Sequence, residues 1–174
     1  ANLVVMGTTG VEFAKFKFSA SSSPEAMTIS GIVATTTLNA GGVLAPTSSV
    51  SNIKLTSSKT PSWSVTLTGL NSAGVADFSG LMSSNPLVIA AGDEDIITLK
   101  ADIGAYGSAD SGSYIVFGMA TSTYRGESGS PTTIAPKYRV AGNAQYIYKT
   151  KPTITSTATA GTLTNSTLTL IKFK

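Results

Sequence analysis

The feature that most constrains this chain is the stretch from Val11 to Ala20, V-E-F-A-K-F-K-F-S-A, and its echo at the far end. Val11 and Phe13 alternate with Glu12, and then the apolar phase slips by one residue so that Phe16 and Phe18 continue the same face. A period of two belongs to a β-strand with one buried face, and a one-residue slip inside it is the signature of a β-bulge. The final residues, L-T-L-I-K-F-K from Leu168 to Lys174, repeat the pattern: Leu168 and Leu170 alternate with Thr169, and Ile171 and Phe173 follow after the same slip. Lys15-Phe16-Lys17 returns as Lys172-Phe173-Lys174, and Met6 is matched by Leu163 at the same spacing. A chain that opens and closes on equivalent strands holds one strand more than a closed domain needs. Such a strand can begin another repeat, fill the edge of a neighbour, or pair at home as an ordinary last strand.

The rest of the chain is written in the same alphabet. Ser, Thr, Gly and Ala are abundant, and charged residues make up 12%, about half the usual share. Thr and Val favour strands while Gly and Ser favour turns, so the expected class is all-β. Trp63, Val65, Leu67 and Gly69 share one face against Ser64, Thr66 and Thr68, which makes Trp63 a core aromatic before it is a sugar platform. Further strands are expected at Leu3–Met6, at Met27–Ile32 as the partner of Val11–Ala20, at Val50–Leu55, at Val75–Leu81 and at Leu87–Ile89. Ile97–Ala101, a doubly apolar Ser113–Ala120, Tyr138–Val140 and Gln145–Tyr148 complete the set. Ala34–Ser49 and Thr121–Pro136 read as long polar loops, the natural places for recognition.

The same composition narrows function. With no histidine and no cysteine, the commonest general base, thiol nucleophile and transition-metal ligands are missing. No G-x-S-x-G elbow or phosphate loop appears, so the chain does not read as an enzyme. The net charge of +3 is spread over single lysines rather than a patch, which argues against nucleic-acid binding. No apolar run approaches the roughly 18 residues of a membrane helix. Opening on Ala1, with low charge and many hydroxyls, the chain is expected at an extracellular surface. Asp93, Asp95 and Asp102 are the carboxylates that would bind Ca²⁺ if any cofactor is bound, although Gly-Asp-Glu-Asp lacks alternate-position ligands and reads first as a solvated turn. Lys15 or Lys17, if buried beside a late Asn, would be positioned for an isopeptide bond. Asn165-Ser166-Thr167 is a formal glycosylation sequon.

Several stretches carry a resemblance. The run Leu87-x-Ile89-x-Ala91-Gly92 followed by Ile97-x-Leu99-Lys100-Ala101-Asp102-Ile103, the opening Thr8–Ser21 and the later Tyr148–Thr155 resemble β-sandwich repeat domains of large surface proteins, surface-layer-like or pilus-associated, from candidate-phyla bacteria. The resemblance implies an immunoglobulin-like, Greek-key sandwich used in tandem on a cell surface, and no catalytic residue.

These readings divide the chain into a β-sandwich over 1–151 and a Thr-rich connector over 152–174 that echoes 11–17. Pro152 stiffens the hinge between them. The connector has too few large apolar residues for a core of its own, so it must pair elsewhere. The expected function is a structural subunit or repeat of an extracellular filament or surface array, assembling with copies of itself by strand complementation. Leu163, Leu168, Leu170, Ile171 and Phe173 are the expected donor residues, with Ala1–Met6 as the runner-up donor segment, and Val11, Phe13, Phe16 and Phe18 the expected acceptor edge. The alternative is an adhesin or carbohydrate-binding sandwich that uses the long loops and exposed tyrosines.

Overall fold

The computed structural model describes residues 2–36, 46–105, 107–136 and 140–150. In chain order its strands begin with β1 (Asn2–Val5), β2 (Val11–Ser19), β3 (Met27–Thr35), β4 (Val50–Ser57) and β5 (Ser64–Gly69). Then come β6 (Val75–Asp77), a short helix α1 (Ser79–Ser84), β7 (Leu87–Ile89) and β8 (Glu94–Ile103). The last are β9 (Tyr114–Ile115), β10 (Gly118–Arg125), β11 (Thr132–Ile134), β12 (Val140–Ala141) and β13 (Gln145–Tyr148).

The chain is nearly all β, in line with its composition, and its described strands lie in three sheets. One sheet has the order β2-β8-β4-β5 and is wholly antiparallel. A second is centred on β3 and β10: β6 and β7 share the free flank of β3, and β11 and β12 share that of β10. The third is β1-β13-β9, where β1 lies parallel to β13. Because β9 leads directly into β10, the returning segments β11, β12 and β13 form one interrupted antiparallel path beside them.

The buried faces meet in a single core. β8 alternates perfectly, with Ile97, Leu99, Ala101 and Ile103 inward and Glu94, Ile96 and Lys100 exposed. Ile53 and Leu55 from β4, Ile29 and Ile32 from β3, and Phe78 and Met82 around α1 join them. Phe13 meets Phe117 edge to face at a centroid distance of 5.0 Å, tying β2 to the opposite sheets. Offset aromatic pairs of this kind add about 0.5–1.5 kcal/mol beyond their buried area.

The phase slip in Val11–Ser19 is a bulge: register against β8 shifts between Glu12 and Ala14, and Phe13 and Ala14 are buried side by side. A second shift lies in β4 between Ser51 and Lys54. There Asn52 takes φ +48°, a left-handed conformation that Asn tolerates better than most residues.

Three expectations need correction. β3 does not pair with β2. The end of β2 is held to the turn before β8 by Ala20 N–H to the Asp93 carbonyl, 2.8 Å, and Gly92 N–H to the Ala20 carbonyl, 3.0 Å. Ser21–Ala26 then carries the chain across to the other sheet. The strand expected through Leu81 stops at Asp77, whose carboxylate accepts the Ser79 amide at 2.9 Å, and Gly31 leaves room for α1 to pack on β3. Thr121–Pro136 is no long loop: its Thr residues build the β10–β11 hairpin, with the Thr123 and Thr133 hydroxyls 2.8 Å apart across the pair. Polarity suggested a loop, yet Thr is a strand former whose hydroxyl faces water here.

Candidate interaction groove

The candidate site grows from the position of β2. It is an edge strand, with β8 on one flank. On the other flank its first half is already engaged. The Asn143 amide donates to the Phe13 carbonyl at 3.1 Å, and the Gln145 amide nitrogen Nε2 donates to the Glu12 carbonyl at 3.1 Å. Gly142 sits so close that any Cβ would collide with the Phe13 carbonyl and Ala14, which makes glycine obligatory there. From Lys15 to Ser19 no strand covers that flank among the described residues.

A trench runs beside this uncovered edge, between β2 and the β10–β11–β12 side. It consists of two adjoining hollows of about 200 and 320 Å³. Both touch Lys17, Phe18, Ser122 and Ile134; Phe16, Met119, Pro136 and Val140 line the first, and Ser19, Met27 and Tyr124 the second. A water needs roughly 30 Å³ of liquid volume, so each hollow is of side-chain size. Ile134 is 45% exposed, while Phe18, Met27, Met119, Tyr124 and Val140 are half-buried against the core. Unpaired strand edges and open apolar surface are each costs to a lone domain, and here they adjoin.

Of the expected acceptor residues, Phe13 is spent in the core at 2% exposure, and Phe16, at 1%, borders the trench from the core side. Val11 lies at the engaged end, so Phe18 is the member with apolar surface to offer. Met27, Met119, Tyr124, Ile134 and Val140 were missed by sequence reasoning. Their only signal is an apolar side chain within mostly polar strands and turns. The expected donors Leu163, Leu168, Leu170, Ile171 and Phe173, the connector 152–174 and the sequon lie outside the described residues.

Asp93, Asp95 and Asp102, the carboxylates considered for Ca²⁺, do not converge. Asp95 and Asp102 lie at opposite ends of β8, about 23 Å apart at roughly 3.3 Å per residue, and on opposite faces. Asp95 is buried and accepts the Ser58 amide and the Lys59 amide, both at 3.1 Å, together with the Ser57 and Ser58 hydroxyls. Burial pushes its pKa up, but those hydrogen bonds outweigh it and the net value falls below the ordinary carboxylate range. Asp102 accepts from Asn52 Nδ2 at 2.8 Å and from the Gly10 amide at 2.7 Å, which lowers its pKa in the same direction. Asp93 pairs with Lys59 at 2.9 Å on the open surface, lowering its own pKa and raising that of Lys59. These aspartates fasten turns. Among the described residues no group of three or more His, Cys, Asp or Glu side chains is placed to hold a metal ion.

The isopeptide expectation meets a similar correction. Lys15 pairs with Glu12 at 3.0 Å and Lys17 with Glu94 at 2.7 Å, and both lysine side chains are more than half exposed. Condensation with Asn needs a desolvated lysine, and neither is one. Trp63 is 6% exposed with its indole N–H donated to the Asn85 carbonyl at 3.0 Å, as a core residue should be.

Fold and trench together define the class: an all-β chain whose sheets share one core and whose edge strand β2, among the described residues, stands half uncovered beside an apolar channel. No family model, no curated protein and no solved structure matches the chain.

Proposed function

We propose that this chain is a structural subunit or repeat of an extracellular filament or cell-surface array, joined head to tail to its own copies by β-strand complementation. The observation that carries the reading is the apolar trench beside the Lys15–Ser19 edge of β2, which no strand covers among the described residues. An added strand would pair its backbone with that edge and set alternate side chains into the hollows. Two Leu- or Phe-sized side chains moved there from water contribute about 3–6 kcal/mol before ordering costs. A head-to-tail contact does not close on itself, so a thread or lattice follows.

The reading includes an immunoglobulin-like, Greek-key arrangement. Its support is that β1 lies parallel to the last described strand while β2, the next in sequence, joins the opposite sheet. The adhesin or carbohydrate-binding alternative draws less from the fold, since Trp63 is buried and one of its two loops is a hairpin. No helix among the described residues is long and apolar enough to cross a membrane.

Electron microscopy of the purified full-length chain tests the proposal. Fibres or a lattice are expected, and deletion of 153–174 is expected to abolish them. Dispersed particles from the full-length chain at high concentration would overturn it.

A further inference from the structure

The trench has a direction, and so does the chain that leaves the fold. β2 starts beside the pole where Gly7 N–H bonds the Gly104 carbonyl and Ile103 N–H bonds the Thr8 carbonyl. β13 ends at that same pole, where the Met6 amide donates to the Tyr148 carbonyl at 3.0 Å. The trench lies along the other half of β2 and opens toward Ser19 and Met27, near the Asp93 turn at the opposite pole. The described chain therefore ends at one pole of the molecule, and the mouth of the trench lies at the other.

Resting on the assembly reading above, we infer that the trench receives the Leu168–Phe173 segment of a neighbouring copy, running antiparallel to β2. A neighbour stacked pole to pole sends its final segment straight into the mouth, against the direction of β2. The same segment of the molecule's own chain, taking the direct route from the near pole, would run parallel to β2; to run antiparallel it would first have to cross the length of the fold and turn back. Antiparallel pairing is the somewhat more stable ladder. The segment from Thr150 to Leu168 extends to about 60 Å at most, ample for a neighbour in contact.

The sequence echo supplies the seating. β2 buries Phe13 and Ala14 side by side at its bulge and Phe16 beyond it. The aligned residues are Leu170, Ile171 and Phe173, so a donated strand with the same bulge turns Leu168, Leu170, Ile171 and Phe173 inward and leaves Thr169 and Lys172 outward. The open stretch of β2 is five residues, about 16 Å, and a donor of this length matches it.

The chain contains no cysteine, so engineered thiols report without background. Two single variants are mixed and oxidised, one carrying Thr169→Cys and the other carrying Ser19→Cys or Lys15→Cys. Antiparallel exchange predicts a covalent dimer on a non-reducing gel with Ser19→Cys in at least several-fold excess over Lys15→Cys. The order reverses for Lys172→Cys. A preference for Thr169 with Lys15, or a cross-link that forms only when both thiols lie in one molecule, overturns the inference while leaving assembly standing. Filaments without any of these cross-links overturn it as well, because another segment is then the connector. Loss of both filaments and cross-links removes the assembly reading itself.

Discussion

Asp95 offers the sharpest test of how this fold is held. Its carboxylate is 2% exposed and gathers the β4–β5 turn: one oxygen takes the Ser58 amide, the Ser58 hydroxyl and the Lys59 amide, and the other takes the Ser57 hydroxyl. The Ser57 oxygen in turn accepts the Thr60 amide at 2.7 Å. Asp95→Ala strands these donors in a partly buried turn. Hydrogen bonds to a charged group contribute about 1.5–3 kcal/mol each, but they share one acceptor group and solvent enters once it is gone, so a loss of about 3–5 kcal/mol is expected. Asp95→Asn keeps one carbonyl oxygen for the two amides, and its NH₂ can donate to Ser57, so about 1–2 kcal/mol is expected.

The pH dependence follows in sign. The folded-state pKa of Asp95 lies below the ordinary value of about 3.9, so its stabilisation is present above that pH and is lost as pH falls through the folded-state value. Asp95→Asn should flatten the acid limb of the stability curve, leaving the smaller slope from Asp93 and Asp102, whose pKa values are lowered too. Urea titrations read by the single tryptophan, buried Trp63, measure both effects. An Asp95→Ala midpoint corresponding to less than about 1 kcal/mol of loss, or an unchanged acid limb in Asp95→Asn, would refute the reasoning.

Three further outcomes are expected. Gly142→Ala places a methyl against the Phe13 carbonyl, forcing the segment off β2 and breaking the Asn143–Phe13 bond; a loss of about 3 kcal/mol or more and faster exchange of the Asn143 amide should follow in denaturation and hydrogen-exchange measurements. Asn52→Ala and Asn52→Gly both remove the bond to Asp102, but only Ala is strained at φ +48°, so Asn52→Ala should cost about 1–2 kcal/mol more than Asn52→Gly. Lys17→Ala breaks only an exposed pair with Glu94 and should change the melting free energy by less than about 1 kcal/mol, a difference that 0.5 M salt erases.

Much of this molecule is written in local pattern. The alternation in Ile97–Ile103 and in Trp63–Gly69, and the slip at Phe13–Ala14, are visible as letters because a strand with one buried face imposes a period of two. What each carboxylate faces was not legible, because neighbours in sequence on a strand point to opposite faces: Asp95 turns into the fold while Glu94 meets Lys17 outside.

Strand partnership was decided by the tertiary structure alone. Nothing in Met27–Thr35 says that it belongs with Gly118–Arg125 rather than with Val11–Ser19, because pairing is settled by which apolar faces can close one core together. The trench is of the same kind. Phe18, Met27, Tyr124 and Ile134 are four unrelated letters along the chain, and they become a binding surface only where two sheets stop short of meeting beside an edge that still has backbone to pair. Sequence by itself determined that this protein would be built of half-buried strands, since periodicity is a property of the local chain. Which edge stays open depended on long-range packing, since an edge is defined by the strand that is not beside it.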